Sequence, residues 1–200
     1  GTPTMGGFTF ILGSCVALLV AYPLLGQTVA ELLPGGLNVL LLGVLTSLAF
    51  GAVGFVDDYL KVVRKQNLGL RARAKILMQT LITISFLVTL HLLGRLSTYV
   101  VLPLAGGVDL GLFFYPLAFL LIVGMVNAVN LTDGIDGLAT SVTLWVMCGY
   151  LVLLSMAGNF PLSLWAAAVA GGCIGFLVWN LHPAKVFMGD TGSMFLGGVV

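Results

Sequence analysis

Long apolar runs, separated by short polar stretches, limit the fold of this chain more than any other feature of its sequence. Six runs lie at residues 8–25, 37–56, 76–93, 111–126, 138–156 and 162–180, and a seventh begins at 194–200. Each is close to the ~20 residues that a helix needs to cross a bilayer core of ~30 Å. Because membrane strands are shorter and alternate polar with apolar residues, we expect an all-α polytopic membrane protein. Residues 1–200 would form one membrane domain with six transmembrane helices and the start of a seventh.

The composition supports a protein surrounded by membrane lipid and argues against nucleic-acid binding. Hydrophobic residues make up 60% of the chain and charged residues 8%, against roughly a half and a quarter in soluble domains. No basic stripe with interleaved aromatic residues is present, so we expect no nucleic-acid partner. Cys15, Cys148 and Cys173 each lie inside an apolar run and are interpreted as small hydrophobic residues.

Two features fall outside the helical pattern. Between the third and fourth runs, the residues near 98–110 predict a small hairpin outside the bilayer, with glycines at 106 and 107. The chain opens on Gly1 without an initiator methionine and stops at Val200 inside an apolar run. We interpret this as a fragment of a larger protein.

Counting the spans assigns the polar stretches to two sides of the membrane. Residues 1–7, 57–75, 127–137 and 181–193 emerge on one side, which carries seven of the eight basic residues. By the positive-inside rule this side faces the cytoplasm, and the hairpin then lies in the periplasm. The same side receives five of the seven acidic residues, which are Asp57, Asp58, Asp133, Asp136 and Asp190.

Five carboxylates at one membrane face favour a metal site, because like charges repel one another unless cations lie between them. The chain has two histidines, His91 and His182, and no clustered thiols, so the available ligands are hard oxygens. Such ligands prefer Mg²⁺, which usually takes one or two carboxylates and completes its shell with water and substrate phosphates. We therefore expect an Mg²⁺ site for a phosphate-bearing substrate, with basic residues nearby.

Plainer interpretations stay open for these residues. The adjacent pair at 57–58 could be solvated beside the membrane, and Asp133 and Asp136 could cap the helix that follows them. The basic stretch from Lys61 to Lys75 is also typical of a topology determinant or a lipid-headgroup contact. Phe187 fits packing as well as stacking on a base.

Four motifs give a more specific signal. They are Gly-Thr-Pro-Thr-Met-Gly-Gly at 1–7, Gly-Phe-Val-Asp-Asp-Tyr at 54–59, Asn-Ala-Val-Asn-Leu-Thr-Asp-Gly-Ile-Asp-Gly-Leu at 127–138 and Val-Phe-Met-Gly-Asp-Thr-Gly-Ser at 186–193. In order and spacing, along essentially the whole chain, they resemble the polyprenyl-phosphate N-acetylhexosamine-1-phosphate transferases. The similarity is closest to the branch that handles phospho-N-acetylmuramoyl-pentapeptide and makes lipid I for peptidoglycan.

The resemblance implies an Mg²⁺-dependent transfer of phospho-N-acetylmuramoyl-pentapeptide from UDP-N-acetylmuramoyl-pentapeptide to undecaprenyl phosphate, with release of UMP, in the bacterial inner membrane. It implies that Asp190 ligates Mg²⁺, and that Asp57 and Asp58 act at the lipid phosphate, one of them as its base. The implied substrate contacts are Asn130, Asp133, Gly134, Ile135, Asp136 and Phe187 in the nucleotide pocket, Asn127, Lys61, Lys65 and Lys75 near the phosphates, and Thr4 at the rim. A homodimer and a whole protein of about ten membrane helices are also implied, so we expect these 200 residues alone to be inactive.

Two other functions stay open. A sister transferase that uses UDP-N-acetylglucosamine for another envelope glycan shares the aspartate motifs, although the stretches at 1–7 and 130–133 favour the muramoyl substrate. An ion-coupled transporter would also gather aspartates, but such sites lie near the membrane midplane within paired repeats, and no repeat is visible. Direct transfer and transfer through an aspartyl-phosphate both stay open, as do the separate roles of Asp57 and Asp58.

Overall fold

Helices form nearly all of the secondary structure in the computed structural model, which describes residues 2–32, 36–64, 69–102 and 106–200. The helices are α1 (Gly7–Leu32), α2 (Gly36–Val62), α3 (Ala72–Leu92), α4 (Phe114–Thr132), α5 (Leu138–Met156), α6 (Phe160–Asn180) and α7 (Gly189–Val199). Strands β1 (Tyr99–Leu102) and β2 (Gly106–Asp109) and a 3-10 turn (Gly111–Phe113) lie between α3 and α4. Six of the described helices are long and apolar enough to cross a membrane. The prediction of an all-α polytopic membrane protein is confirmed.

The predicted hairpin is also present. Strands β1 and β2 pair in antiparallel register, with Tyr99 opposite Asp109. Asp109 Oδ1 accepts hydrogen bonds from Thr98 Oγ1 at 2.6 Å and from the Gly111 N–H at 3.0 Å. These bonds close the base of the hairpin where it leads into α4, and its position on the periplasmic side stays a prediction.

Several helices extend beyond the apolar runs, and they do so at their polar ends. Helix α2 continues past residue 56 to Val62, α4 continues past 126 to Thr132, and α7 begins at Gly189 instead of 194. Helix α1 likewise runs through Pro23 to Leu32, whereas α5 has the predicted bounds. An apolar run marks only the part that lipid can surround, whereas a helix continues wherever its polar side chains find partners. The polar motifs therefore lie on helix ends more than on loops.

The outward surface of the bundle is apolar. Leu19, Trp145 and Val178 expose 72%, 76% and 71% of their surface. Soluble monomers rarely present wide apolar patches, whereas lipid tails cover such side chains in a bilayer. The surface therefore agrees with a multi-pass membrane protein.

Helix α7 packs mainly on α1, α2 and α4. Its residues 191–197 are all buried. The ring of Phe195 lies 6.1 Å from the rings of both Phe10 in α1 and Trp165 in α6, measured between centroids. Contacts with several neighbouring helices therefore fix the position of α7 and of the residues at its start.

Close packing of α2 on α7 depends on Gly54. A Cβ atom at this position would overlap the carbonyl group of Asp190 and crowd the backbone nitrogen of Thr191. Small residues allow the backbones of membrane helices to approach in this way. The last turns of α2 therefore lie directly against the first turn of α7.

Candidate active site

The end of α2 carries two adjacent carboxylates in different surroundings. Asp57 and Asp58 are only 3% and 5% exposed, so their interpretation as a solvated pair is wrong. Asp57 Oδ2 lies 2.6 Å from Nζ of Lys61, one helical turn further on, and 3.9 Å from Nζ of Lys75. Its Oδ1 accepts a hydrogen bond from the Leu70 N–H at 2.5 Å. Asp57 therefore lies beside two cations, where α2 ends and α3 begins.

Asp190, in the first turn of α7, shares these cations. Its Oδ2 lies 2.7 Å from Nζ of Lys61 and 3.3 Å from Nζ of Lys75. Its Oδ1 accepts a hydrogen bond from Asn130 Nδ2 at 2.7 Å. Two carboxylates and two ammonium groups meet here, and the motifs at 54–59, 127–138 and 186–193 lie together.

Asn130 joins α4 to both α3 and α7. Its Oδ1 lies 3.0 Å from Lys75 Nζ, and its Nδ2 also donates to Ser193 Oγ at 2.8 Å. Ser193 was not predicted as a site residue, although the fourth motif contains it. Its position one turn after Asp190 brings it to the same face of α7.

The buried Gln79 and the half-buried Asn127 form an amide pair one helical turn away from Lys75 and Asn130. Asn127 Nδ2 donates to Gln79 Oε1 at 2.7 Å, and Gln79 Nε2 donates to Asn127 Oδ1 at 3.4 Å. The resemblance implied that Asn127 lies near the phosphates, but its amide is engaged between α3 and α4. Gln79 was missed, and the available signal was a lone amide four residues after Lys75 in an apolar run.

Asp58 faces α7 instead of the lysines. Its Oδ1 accepts a hydrogen bond from the Asp190 N–H at 3.1 Å. Its Oδ2 accepts hydrogen bonds from the N–H and the hydroxyl of Thr191, at 2.8 Å and 2.6 Å. Asp57 and Asp58 therefore have separate partners.

Asp133, in the turn after α4, is a half-buried carboxyl group close to the cluster. Burial, together with the negative charges of Asp190 and Asp58, raises the pKa of Asp133 to about 7, although a hydrogen bond from the Gly189 backbone opposes the shift. Groups with a pKa shifted by burial and nearby charges are frequent at functional sites. A cation bound beside Asp133 would favour its charged form.

Asp133→Asn is expected to stabilise the protein above pH 7 by about 2 kcal/mol, after allowance for partial exposure. With a raised pKa, the folded protein holds a proton that the unfolded chain releases between pH 3.8 and about 7. Wild-type stability therefore falls as pH rises through this window, and the difference between the two proteins disappears at its acid end. Thermal unfolding in detergent without Mg²⁺, between about pH 4.5 and 8.5, measures this difference.

The matched control is Asp109→Asn in the hairpin, where the carboxyl group is exposed and its pKa is lowered by hydrogen bonds from Thr98 and Gly111. This control is expected to gain no stability at any pH. If Asp133→Asn behaved like the control, the carboxyl group of Asp133 would not be desolvated.

Asp136 links the turn after α4 to the segment before α7. It accepts a hydrogen bond from the Ala184 N–H at 3.0 Å and lies 2.9 Å from His182 Nδ1, and both contacts lower the pKa of Asp136. The interpretation of Asp133 and Asp136 as caps of α5 is wrong, because the N-cap of α5 is Gly137 without any side-chain cap bond. The exposed side chain of His182 therefore has Asp136 as its partner.

The motif at 1–7 pairs with the segment before α7 through its backbone. The Phe187 N–H donates to the Pro3 carbonyl and the Gly6 N–H donates to the Phe187 carbonyl, both at 2.9 Å. Phe187 is half-buried, and Thr4 is exposed in the paired segment. The first and fourth motifs are therefore parts of one structural unit.

Other predicted residues lie further from the cluster. Gly134 and Ile135 are exposed in the turn after α4, where Ile135 shows 63% of its surface. Lys65 lies outside the described residues, so its phosphate contact stays a prediction. His91 contacts Tyr115, with 2.9 Å between Nδ1 and the hydroxyl oxygen, and is not part of this site.

The donors in the cluster fit Mg²⁺ that is shared with a substrate. Among the residues described, no group of three or more His, Cys, Asp or Glu side chains could hold a metal ion. Nevertheless, Lys61 Nζ lies within 2.6 and 2.7 Å of Oδ2 of Asp57 and Asp190, so one positive charge already bridges two carboxylates. Because Mg²⁺ needs only one or two carboxylates when phosphates complete its shell, Asp190 beside Asp57 could hold it.

Comparison with known proteins finds relatives along the whole chain. The phospho-N-acetylmuramoyl-pentapeptide-transferases of Heliobacterium modesticaldum, Desulforamulus reducens and Moorella thermoacetica are 46%, 44% and 43% identical to it. Each alignment covers 100% of this chain, and 59%, 58% and 59% of the relative. The chain thus spans less than two thirds of the length of these relatives.

A family model is matched as well. The model described as glycosyl transferase family 4 matches residues 40–200. This range contains the three motifs whose side chains form the cluster around Asp190. The chain therefore belongs to glycosyl transferase family 4.

Proposed function

We propose that this chain is part of a membrane enzyme that transfers phospho-N-acetylmuramoyl-pentapeptide from its UDP carrier to undecaprenyl phosphate, giving lipid I and UMP. One observation carries the proposal: Asp57 and Asp190 share the ammonium groups of Lys61 and Lys75 at the ends of membrane helices. A site at helix ends can meet both a lipid phosphate and a water-soluble nucleotide. The names of the relatives support the choice of reaction.

The reaction joins two anions. An oxygen of undecaprenyl phosphate forms a bond to the phosphorus that carries the sugar, and the bond from that phosphorus to the UMP oxygen breaks. UMP leaves with the electron pair of the broken bond. Catalysis of phosphoryl transfer is mostly positioning and charge stabilisation, so the site needs cations close to both reactants.

The cations come from Lys61, Lys75 and Mg²⁺. Asp190 would hold Mg²⁺, which when bound supplies charge neutralisation on the transferred phosphoryl group. Lys61 and Lys75 would bind phosphate oxygens. Both ammonium groups pair with the Asp190 carboxylate, and a substrate phosphate would compete with that carboxylate for them. Asp57, on the same side of α2 as Lys61, would face the lipid phosphate.

The nucleotide would bind beside the turn after α4. Asn130 and Asp133 border the cluster, and Phe187 offers a half-buried ring for the base. Gly134, Ile135 and Asp136 would complete the pocket from the same turn, with Thr4 at its rim. The raised pKa of Asp133 agrees with a carboxyl group retained for binding at a cost in stability.

The proposal includes a cytoplasmic orientation and a homodimer. The side of the site carries seven of the eight basic residues, which by the positive-inside rule favours the cytoplasm. The inner membrane of a bacterium is the location that the relatives' reaction requires, because UDP-sugars are cytoplasmic. The mass of the detergent-solubilised full-length protein, measured by light scattering, tests the dimer.

The decisive experiment measures UMP release by the full-length protein with undecaprenyl phosphate and Mg²⁺. UDP-N-acetylmuramoyl-pentapeptide and UDP-N-acetylglucosamine are offered separately. Turnover of the muramoyl substrate alone, with loss of activity in EDTA, is the expected result. EDTA followed by excess Mg²⁺ should restore the rate, which controls for damage by the chelator.

Other outcomes point elsewhere. Turnover of UDP-N-acetylglucosamine alone would assign the chain to a sister transferase and keep the same site. No turnover of either substrate by well-folded protein would contradict the transferase, and ion flux in vesicles would then favour the transporter.

A further inference from the structure

Asp58 binds the first turn of α7 and faces away from the lysines. We propose that Asp58 is a positioning residue that fixes Asp190 against α2, and that it is not the base at the lipid phosphate. The inference deepens the proposed function. It rests on that function only for the readout that needs transfer, which is the pH dependence of kcat. It separates the roles of two aspartates that the sequence presents as an equivalent pair.

The hydrogen bonds of Asp58 leave little of its carboxylate for a substrate. An ionised carboxylate offers about four acceptor positions, and three are taken by the Asp190 N–H and by the N–H and hydroxyl of Thr191. The side chain is also buried, with 5% of its surface exposed. A base would need an oxygen that can reach the substrate proton.

The first N–H groups of α7 need a hydrogen-bond acceptor from outside the helix. The first N–H groups of a helix have no acceptor within the helix, and their dipoles favour a negative charge nearby. The N-cap residue of α7 is Met188, which makes no side-chain cap bond. Asp58 of α2 therefore satisfies two of these groups, the N–H of Asp190 and of Thr191, from outside the helix.

Two residues of α2, one turn apart, hold the backbone of Asp190. Asp58 binds its N–H, and Gly54 lies against its carbonyl group. Asp57 points about 100° away on the same helix, towards Lys61 and the side chain of Asp190. One face of α2, with Gly54 and Asp58, therefore fixes the position of the Asp190 backbone. The neighbouring face, with Asp57 and Lys61, lies beside the Asp190 carboxylate.

The test uses the full-length protein with Asp58→Asn, Thr191→Val and the double variant. Thr191→Val removes one of the three bonds without touching the lysine cluster. Matched controls are Asp109→Asn in the hairpin and Thr46→Val in α2, where the Thr46 hydroxyl donates to the Leu42 carbonyl of its own helix. The readouts are the thermal midpoint, the affinity for Mn²⁺ as a substitute for Mg²⁺, and the pH dependence of kcat.

Asp58→Asn is expected to lower the thermal midpoint and to weaken Mn²⁺ binding about 10- to 100-fold, as loss of a group that orients a ligand does. Thr191→Val should change both in the same direction, by about 2- to 10-fold in affinity. The effect of the double variant should be smaller than the sum of the two single effects, because both substitutions break the same contact between Asp58 and Thr191. The acid limb of the pH profile should stay where it is.

Two results would overturn the inference. One is an Asp58→Asn variant with normal stability and Mn²⁺ affinity that loses the acid limb of its pH profile, as removal of a base requires. The other is strict additivity of the two substitutions in the thermal midpoint. If the wild type transfers neither sugar, the proposed function fails, while stability and Mn²⁺ affinity still decide the role of Asp58.

Discussion

Asp190→Asn is expected to abolish transfer by the full-length protein, with kcat lowered about 10³-fold or more. Charge stabilisation by a metal site contributes several kcal/mol to such reactions, and each ~1.4 kcal/mol is a factor of ten in rate. The substitution removes the negative charge that Lys61 and Lys75 share and that would hold Mg²⁺. UMP release at saturating Mg²⁺ and both substrates measures the loss.

The fold should survive this change. Asp58 binds the backbone N–H of residue 190, which an asparagine keeps, so the start of α7 should stay in place. Loss of the pairing with Lys61 and Lys75 should lower the thermal midpoint without unfolding the protein. Asp109→Asn in the hairpin serves as the matched control and should retain wild-type turnover. Activity of Asp190→Asn within tenfold of the wild type would place the metal and the phosphoryl group elsewhere.

Gly54→Ala is expected to lower activity about 100-fold, because a displacement of about 1 Å at a reacting site has effects of this size. The added methyl group would overlap the carbonyl of Asp190, where only backbone atoms could yield. Overpacking costs about 1–3 kcal/mol, and a gain of up to ~1 kcal/mol in helix propensity offsets part of it. Turnover and thermal midpoint should therefore fall together.

The matched control lies on the same helix. Among the described residues, apart from the neighbouring backbone of α2 itself, no atom would lie within 4 Å of a Cβ on Gly43, so Gly43→Ala should keep full activity and equal or slightly higher stability. Equal activity of the two variants would show that Asp190 does not depend on the close packing of α2 on α7.

Much of the fold could be predicted because the bilayer imposes a length on each apolar run. The bounds of α5 and the hairpin at Tyr99–Asp109 agree with the sequence-based expectation. The prediction was less accurate at the polar ends of α2, α4 and α7, where helix continues into the motifs. Hydropathy does not detect these helical turns, because their polar side chains find their partners on neighbouring helices and are not covered by lipid.

Most residues of the site could be predicted from the sequence, but the contacts that each one makes could not. The sequence indicated Asp57, Lys61, Lys75, Asn130 and Asp190, and these side chains do meet. It missed Gln79 and Ser193, whose partners Asn127 and Asn130 are distant in sequence. The resemblance placed Asn127 near the phosphates, which stays a prediction, and in the structure the amide of Asn127 binds Gln79.

The sequence by itself determined the class of protein, the number of long apolar helices and the gathering of carboxylates at one face, because hydropathy, charge and loop order are properties of the chain alone. Only the tertiary structure decided that Asp57 meets Lys61 while Asp58 binds the backbone of α7. The physical reason is the helix itself, which turns adjacent residues about 100° apart and so gives them different neighbours. Which neighbour each one meets depends on helix packing, here on the contact between Gly54 and Asp190.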